Sequence, residues 1–95
     1  MPTLLDKEEL ASELATVREW SQTGEQISRT FKFGAYLDGI AFVNEVGRVA
    51  EKANHHPDME VGWRKVTVKL STHSKGGLTE LDFALAREID ALAGK

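Results

Sequence analysis

Histidine is confined to two short polar segments of this chain. His55 and His56 stand directly before Pro57, and His73 closes a Ser-Thr-His run. An unperturbed imidazole titrates near ~6.5, so histidines held together supply an acid and a base near neutral pH. Because a chain that used histidine only for solubility would scatter it, the clustering predicts one imidazole-rich site. Proton transfer is the chemistry that such a site favours.

Two other interpretations of the histidines are open from the residues alone. Three imidazoles are a known ligand set for zinc, which needs converging nitrogens and an open coordination position. His55 and His56 are adjacent and point in different directions, so both binding one ion is awkward, and we expect no bound metal. Solvent-exposed histidines without any function are the remaining alternative.

Composition narrows the class of protein. The 95 residues suit a single domain over 1–95, and a net charge of -3 argues against a nucleic-acid surface, since the densest basic spot is the pair Arg64 and Lys65. No cysteine is present, which excludes disulfides, thiolate metal sites and cysteine nucleophiles and favours the cytoplasm. We expect neither a targeting segment nor a membrane span, because no apolar run is long enough.

The first third of the chain predicts a helix and then a hairpin. Asp6 and Glu9 form a capping-box pattern, and apolar spacing continues the helix to about Arg18. A turn at Thr23–Glu25 separates Trp20 from an alternating apolar and polar segment that ends at Phe33.

A long helix is predicted over Tyr36–Ala53. It carries two apolar flanks, one formed by Tyr36, Ile40, Val43, Gly47 and Ala50 and the other by Phe42, Val46 and Val49. One sheet face would not cover both flanks, so we expect this helix also to meet another subunit. Pro57 prevents continuation of the helix, so the histidine pair lies where the helix ends.

The last third predicts two strands and a helix. Met59–Trp63 is a short strand, and Val66–Leu70 alternates clearly, with His73 at its polar exit. Thr79 and Asp82 give a second capping pattern before a helix that runs to Gly94. The predicted fold is α+β, a four-stranded antiparallel sheet with three helices in the order α-β-β-α-β-β-α.

Several polar and aromatic residues near the histidines have ordinary structural interpretations. Asp82 suits the N3 position of a helix cap, and Glu51 suits the last turn of the long helix. Ser71 and Thr72 suit a strand, and Trp63 suits a core position.

Taken together, these residues resemble the pterin-4a-carbinolamine dehydratase family. The family pattern is an acid one turn before His-His-Pro, then an aromatic residue, a third histidine and an aspartate. Those places are filled in order by Glu51, His55, His56, Pro57, Trp63, His73 and Asp82. Met59 departs from the pattern, since many relatives have an aromatic residue there.

The resemblance implies a hydro-lyase that dehydrates 4a-hydroxytetrahydropterin to quinonoid dihydropterin. Pterin is then the substrate, and no cofactor or metal is expected. The implied catalytic residues are His55, His56, His73 and Asp82, with His55 and His73 as the proton-transfer pair and His56 as a binding and orienting residue. The implied substrate-binding residues are Glu51, Asn54, Pro57, Trp63, Ser71, Thr72 and Ser74.

The resemblance also implies partners. It suggests an aromatic amino acid hydroxylase that makes the substrate. Separately, the exposed edges of a small sheet and the broad apolar helix Tyr36–Ala53 favour a homodimer or homotetramer, which the residues do not distinguish. Some members of the family act without catalysis, as dimerisation cofactors of a transcription factor or as assembly factors of carboxylases, and this is the alternative function. A degenerate relative would be expected to lose a site histidine, and this chain keeps all three, which favours the enzyme.

Overall fold

Three helices and four strands follow one another in the predicted order. The computed structural model describes residues 2–94. The elements are α1 Lys7–Leu14, β1 Ser21–Thr23, β2 Gln26–Lys32, α2 Tyr36–Ala53, β3 Asp58–Val61, β4 Lys65–Leu70 and α3 Glu80–Ala93, with a 3₁₀ turn at His73–Lys75. The predicted α+β class and the order α-β-β-α-β-β-α are confirmed.

The four strands form one antiparallel sheet in the order β1-β2-β4-β3. Gly24, with φ of 60°, turns the chain between β1 and β2. In the central pair, Ile27 lies opposite Leu70 and Phe31 opposite Val66. Because side chains alternate along a strand, this register collects the apolar residues of both strands on one face.

Helices α2 and α3 cover that apolar face. The buried core residues are Val17, Trp20, Ile27, Phe31, Phe42, Val46, Ala50, Val66, Val68, Leu70, Leu78, Phe83, Leu85, Ala86 and Ile89. The opposite face of the sheet is polar, where the hydroxyls of Thr30 and Thr67 are hydrogen-bonded at 2.8 Å. No helix in the described part of the chain has both the length and the apolar character to cross a membrane.

The prediction that α1 continues to about Arg18 is wrong. The helix ends at Leu14, and the backbone N–H of Val17 donates to the carbonyl of Leu14 in a tighter turn. This turn allows Val17 and Trp20 to be buried, and the Trp20 indole N–H donates to Asp90 at 2.8 Å. Burial of these side chains therefore outweighs continuation of the helix.

The predicted strand Met59–Trp63 is shifted. β3 is Asp58–Val61, and the N–H of Gly62 donates to the carbonyl of Lys65 at 2.8 Å, which closes the β3–β4 hairpin. Trp63 therefore lies at the hairpin tip and is exposed, not a core residue.

Both predicted apolar flanks of α2 contribute to the core. Phe42 and Val46 of one flank and Ala50 of the other are buried, whereas Tyr36 and the neighbouring Leu37 at the start of the helix are exposed. The helix ends at Asn54 in the left-handed conformation, with φ of 52° and ψ of 41°. Asparagine adopts this conformation more readily than most residues, which suits it to a helix C-terminus.

Four chain segments meet at one end of the molecule: the end of α2, the start of β3, the end of β4 and the start of α3. Asp58 pairs with Lys69, so the start of β3 lies beside the end of β4. The His-His-Pro segment leads from α2 into β3, while the 3₁₀ turn and the cap residue Thr79 lead from β4 into α3.

Candidate active site

The carboxylate of Asp82 joins the two histidine segments. Its Oδ1 lies 2.6 Å from Nε2 of His55. Its Oδ2 accepts the hydroxyl of Thr72 at 2.8 Å and the backbone N–H of Thr79 at 3.0 Å. Asp82 is 0% exposed, so both of its carboxylate oxygens face protein groups and not solvent. The predicted capping box of α3 is confirmed, and its acid also contacts a histidine.

The hydrogen-bond network fixes the direction of two hydroxyls. The N–H of Leu81 donates to Oγ1 of Thr79 at 3.2 Å, and the hydroxyls of Thr79 and Thr72 are 2.8 Å apart. A carboxylate only accepts, so Thr72 donates to Asp82, and Thr79 must then donate to Thr72. The chain of donors runs from the N-terminus of α3 to Oδ2 of Asp82.

This network assigns the tautomer of His55. Oδ2 of Asp82 already receives two donors, which leaves Oδ1 to accept from the ring, so the neutral ring of His55 carries its proton on Nε2 and its lone pair on Nδ1. Every buried side-chain nitrogen or oxygen within residues 2–94 has a hydrogen-bond partner, and Nδ1 makes no hydrogen bond there. Nδ1 therefore lies on the small solvent-accessible part of a side chain that is 11% exposed.

His56 points away from this network. Its Nε2 lies 2.6 Å from Oε1 of Glu51, and both side chains are exposed. The two adjacent histidines thus contact different carboxylates, Asp82 and Glu51. Pro57 is half-buried.

His73 lies in the 3₁₀ turn after β4 and is exposed. Its Nε2 is 4.0 Å from Oδ2 of Asp58, and its side chain is 78% exposed. Ser74 shares the turn and is also exposed, while Ser71 just before it is half-buried. Asp58 was not among the predicted site residues. Its position directly after His-His-Pro could have identified it as a neighbour of the site.

Thr72 does not have the exposure expected of a substrate-binding residue. It is 5% exposed, and its hydroxyl is occupied by Thr79 and Asp82, so it supports the site from within. Asp82 is likewise buried, and the histidine that it contacts is His55. Asn54 is exposed, and the end of α2 accounts for its residue type.

Trp63 is the predicted site residue that the structure does not bring to the histidines within one chain. β3 runs roughly 10 Å from Asp58 to Val61, and Trp63 lies beyond Val61. The guanidinium of Arg64 lies over its ring, 4.8 Å from the ring centroid.

The described residues do not form a ready-made metal cage. Within residues 2–94, no group of three or more His, Asp, Glu or Cys side chains is arranged to hold a metal ion. The Nε2 atoms of His55 and His56 are each occupied by a different carboxylate.

The fold and the site together define a class: a small α+β domain in which a buried aspartate orients one histidine and two exposed histidines lie nearby. A family model described as pterin 4 alpha carbinolamine dehydratase matches residues 3–92. The chain belongs to the pterin-4a-carbinolamine dehydratase family.

Relatives and solved structures agree with this placement. A protein of Nocardia farcinica named "Putative pterin-4-alpha-carbinolamine dehydratase" is 48% identical over 90 residues, which is 95% of each chain. A protein of Natronomonas pharaonis with the same name is 43% identical over 93 residues, covering 98% of this chain and 99% of the relative.

Two solved structures resemble the fold. A transcriptional coactivator/pterin dehydratase from Brucella melitensis superimposes with a TM-score of 0.90 at 36% identity, over 95% of this chain and 98% of the other. A pterin dehydratase-like protein described as a RuBisCO assembly factor in the alpha-carboxysome superimposes with a TM-score of 0.65 at 27% identity, over 80% and 88%.

Proposed function

We propose that this protein removes water from 4a-hydroxytetrahydropterin and releases quinonoid dihydropterin, by acid–base catalysis on its histidines. The observation that carries the proposal is the buried Asp82–His55 pair, with a contact of 2.6 Å. A buried carboxylate that orients an imidazole is the arrangement that holds a general base in one tautomer.

His55 is the proposed base. With its proton on Nε2 and directed at Asp82, the neutral ring offers the Nδ1 lone pair to the N5 proton of the substrate. As that proton moves to Nδ1, the N5–H electron pair forms the C4a–N5 double bond. Asp82 accepts from the ring throughout and balances the positive charge that the ring gains.

His73 is the proposed acid. In its protonated form it gives a proton to the departing 4a-hydroxyl, the C4a–O bond breaks, and water leaves. His73 then regains a proton from solvent, which its 78% exposed side chain contacts freely, and His55 returns its proton to solvent through Nδ1. Each transfer is typically worth roughly 10²- to 10⁴-fold in rate.

His56 and the exposed residues around it are the proposed binding surface. Glu51 holds the His56 ring through Nε2, which leaves Nδ1 for the pterin. Ser74 contributes an exposed hydroxyl from the His73 turn. We further propose that the protein works as a homo-oligomer in the cytoplasm, downstream of an aromatic amino acid hydroxylase, with neither metal nor cofactor.

The proposal is tested with freshly generated 4a-hydroxytetrahydropterin, by following formation of the quinonoid product by absorbance. The parent protein is expected to accelerate the reaction, and His55→Ala is expected to remove most of the acceleration with the circular dichroism spectrum unchanged. Equal rates for the two proteins would overturn the assignment.

A partner-protein function is the second candidate. It is favoured by the structural likeness to the RuBisCO assembly factor and by the exposed Tyr36 and Leu37 on α2. The same assay separates the two candidates. A dehydratase accelerates the reaction and loses the acceleration in His55→Ala, whereas a protein that acts only as a partner gives no acceleration.

A further inference from the structure

A second concave surface lies at the tip of the β3–β4 hairpin. It is an open hollow of about 380 Å³ lined by Lys32, Phe33, Trp63, Arg64 and Lys65, and we call it the Trp63 hollow. Its volume falls within the range of about 300–1,000 Å³ that small-molecule sites occupy. It lies at the opposite end of β3 from the histidines, so it is separate from the proposed active site.

The charges of the Trp63 hollow are all positive. Lys32 and Lys65 lie directly opposite each other on β2 and β4, where like charges are unfavourable. Within residues 2–94, neither they nor Arg64 forms an ion pair, although Lys69, Arg29 and other cations do. Three uncompensated cations in a chain of net charge -3 form a local site of positive potential that favours an anion.

Two of these side chains are held in place. A Cβ added at Gly62 would lie 3.0 Å from Cγ of Lys65, so the absence of a side chain at Gly62 lets the lysine stem cross the hairpin closely. The guanidinium of Arg64 lies 4.8 Å from the Trp63 ring centroid. Arg64 therefore lies against the aromatic ring of the hollow, and the two lysines line the same hollow.

Trp63 supplies a stacking surface. The side chain is 74% exposed, the most exposed of the large hydrophobic residues in the part of the chain described. A large aromatic ring that protrudes beside cations is a platform for a planar ring that carries negative charge, since stacking and ion pairing then act on the same ligand.

We propose that the Trp63 hollow binds a phosphate-bearing planar heterocycle, of the mononucleotide class. The heterocycle stacks on Trp63, and the phosphate lies between Lys32 and Lys65 with Arg64 alongside. Full affinity needs both the heterocycle and the phosphate, because stacking on Trp63 supplies contact area and the lysines supply positive charge.

The first experiment is a titration of the protein with AMP, adenosine and inorganic phosphate. Trp63 and the buried Trp20 are the two tryptophans, so quenching of exposed tryptophan emission reports binding at Trp63. AMP is expected to quench saturably and to bind at least about tenfold more tightly than adenosine, since charge-assisted contacts to the phosphate are lost in the nucleoside. Equal affinity for AMP and adenosine, or no binding of AMP at millimolar concentration, would overturn the proposal.

Variants separate the two parts of the ligand. Trp63→Ala is expected to weaken AMP binding by at least about tenfold in calorimetry, and Trp63→Phe to retain it without the fluorescence change. The double variant Lys32→Gln with Lys65→Gln is expected to remove the preference for AMP over adenosine and most of the salt dependence.

Lys7→Gln is the matched control, because it removes one exposed positive charge from α1, outside the hollow. It is expected to bind AMP like the parent. If Lys7→Gln weakens AMP binding as much as the double variant Lys32→Gln with Lys65→Gln does, the attraction comes from overall charge and the proposed site is wrong. Normal AMP binding by Trp63→Ala would also exclude it.

Discussion

Under the proposed function, Asp82→Asn should lower turnover by reversing the tautomer of His55 while leaving the size of the side chain unchanged. The backbone N–H of Thr79 only donates and lies 3.0 Å from Oδ2, so the new amide oxygen must take that position. The amide NH₂ then faces Nε2 of His55 and needs a lone pair there. The neutral ring of His55 then carries its proton on Nδ1. Nδ1 no longer has the lone pair that is proposed to accept the N5 proton of the substrate.

The expected loss of turnover is the contribution of one general base, roughly 10²- to 10⁴-fold. Removing the charge from a buried acceptor of three hydrogen bonds should also lower the free energy of unfolding by about 1.5–3 kcal/mol. The network around Thr72 is retained because the amide oxygen still accepts from its hydroxyl.

The assay combines stopped-flow absorbance of the dehydration with ¹⁵N NMR of the histidine rings. Asp90→Asn is the matched control, since it makes the same chemical change at a carboxylate whose partners are Trp20 and Arg29, and it should leave turnover within the parent range. The reasoning is refuted if Asp82→Asn turns over like the parent, or if its His55 ring keeps the proton on Nε2.

The remaining predictions concern the other histidines, metal and assembly. His55→Ala and His73→Ala should each lower turnover by about 10²-fold or more with the fold intact, and the double variant should lose less than the product of the two effects. His56→Ala should chiefly raise KM, and an unchanged KM with lowered kcat would contradict its binding role. Protein treated with a chelator should retain full activity, whereas loss that zinc restores would overturn the metal-free mechanism. Light scattering should give a homo-oligomer at micromolar concentration, reduced by Leu37→Lys on the exposed start of α2; a monomeric parent protein would remove the support for this assembly.

The regular elements of the fold could be predicted because their periodicity reflects burial on one face. Val66, Val68 and Leu70 alternate in the sequence and are all fully buried in β4. The predicted bounds of α2, Tyr36–Ala53, are those of the structure, because Pro57 prevents extension beyond the histidine pair. The end of α1 could not be predicted, since it depends on the contact between Trp20 and the distant Asp90.

The site could be predicted in residue type but not in connectivity. His55 and His73 were singled out by the clustering of histidine and Asp82 by the family resemblance, and the structure brings their segments to one end of the sheet. The support from Thr72 and the proximity of Asp58 to His73 depend on strand register and on the turn before α3. The position of Trp63 was not predicted correctly. It lies two residues beyond the end of β3, and the sequence does not indicate in which direction the chain turns there.

The most direct test of the central claim is the rate of dehydration with protein present at far lower concentration than 4a-hydroxytetrahydropterin. The parent chain should convert many substrate molecules per site and give an initial rate proportional to protein concentration, while Asp82→Asn at the same concentration should approach the spontaneous rate. A rate that does not depend on parent protein concentration would contradict catalysis by the Asp82–His55 pair and favour the partner-protein function.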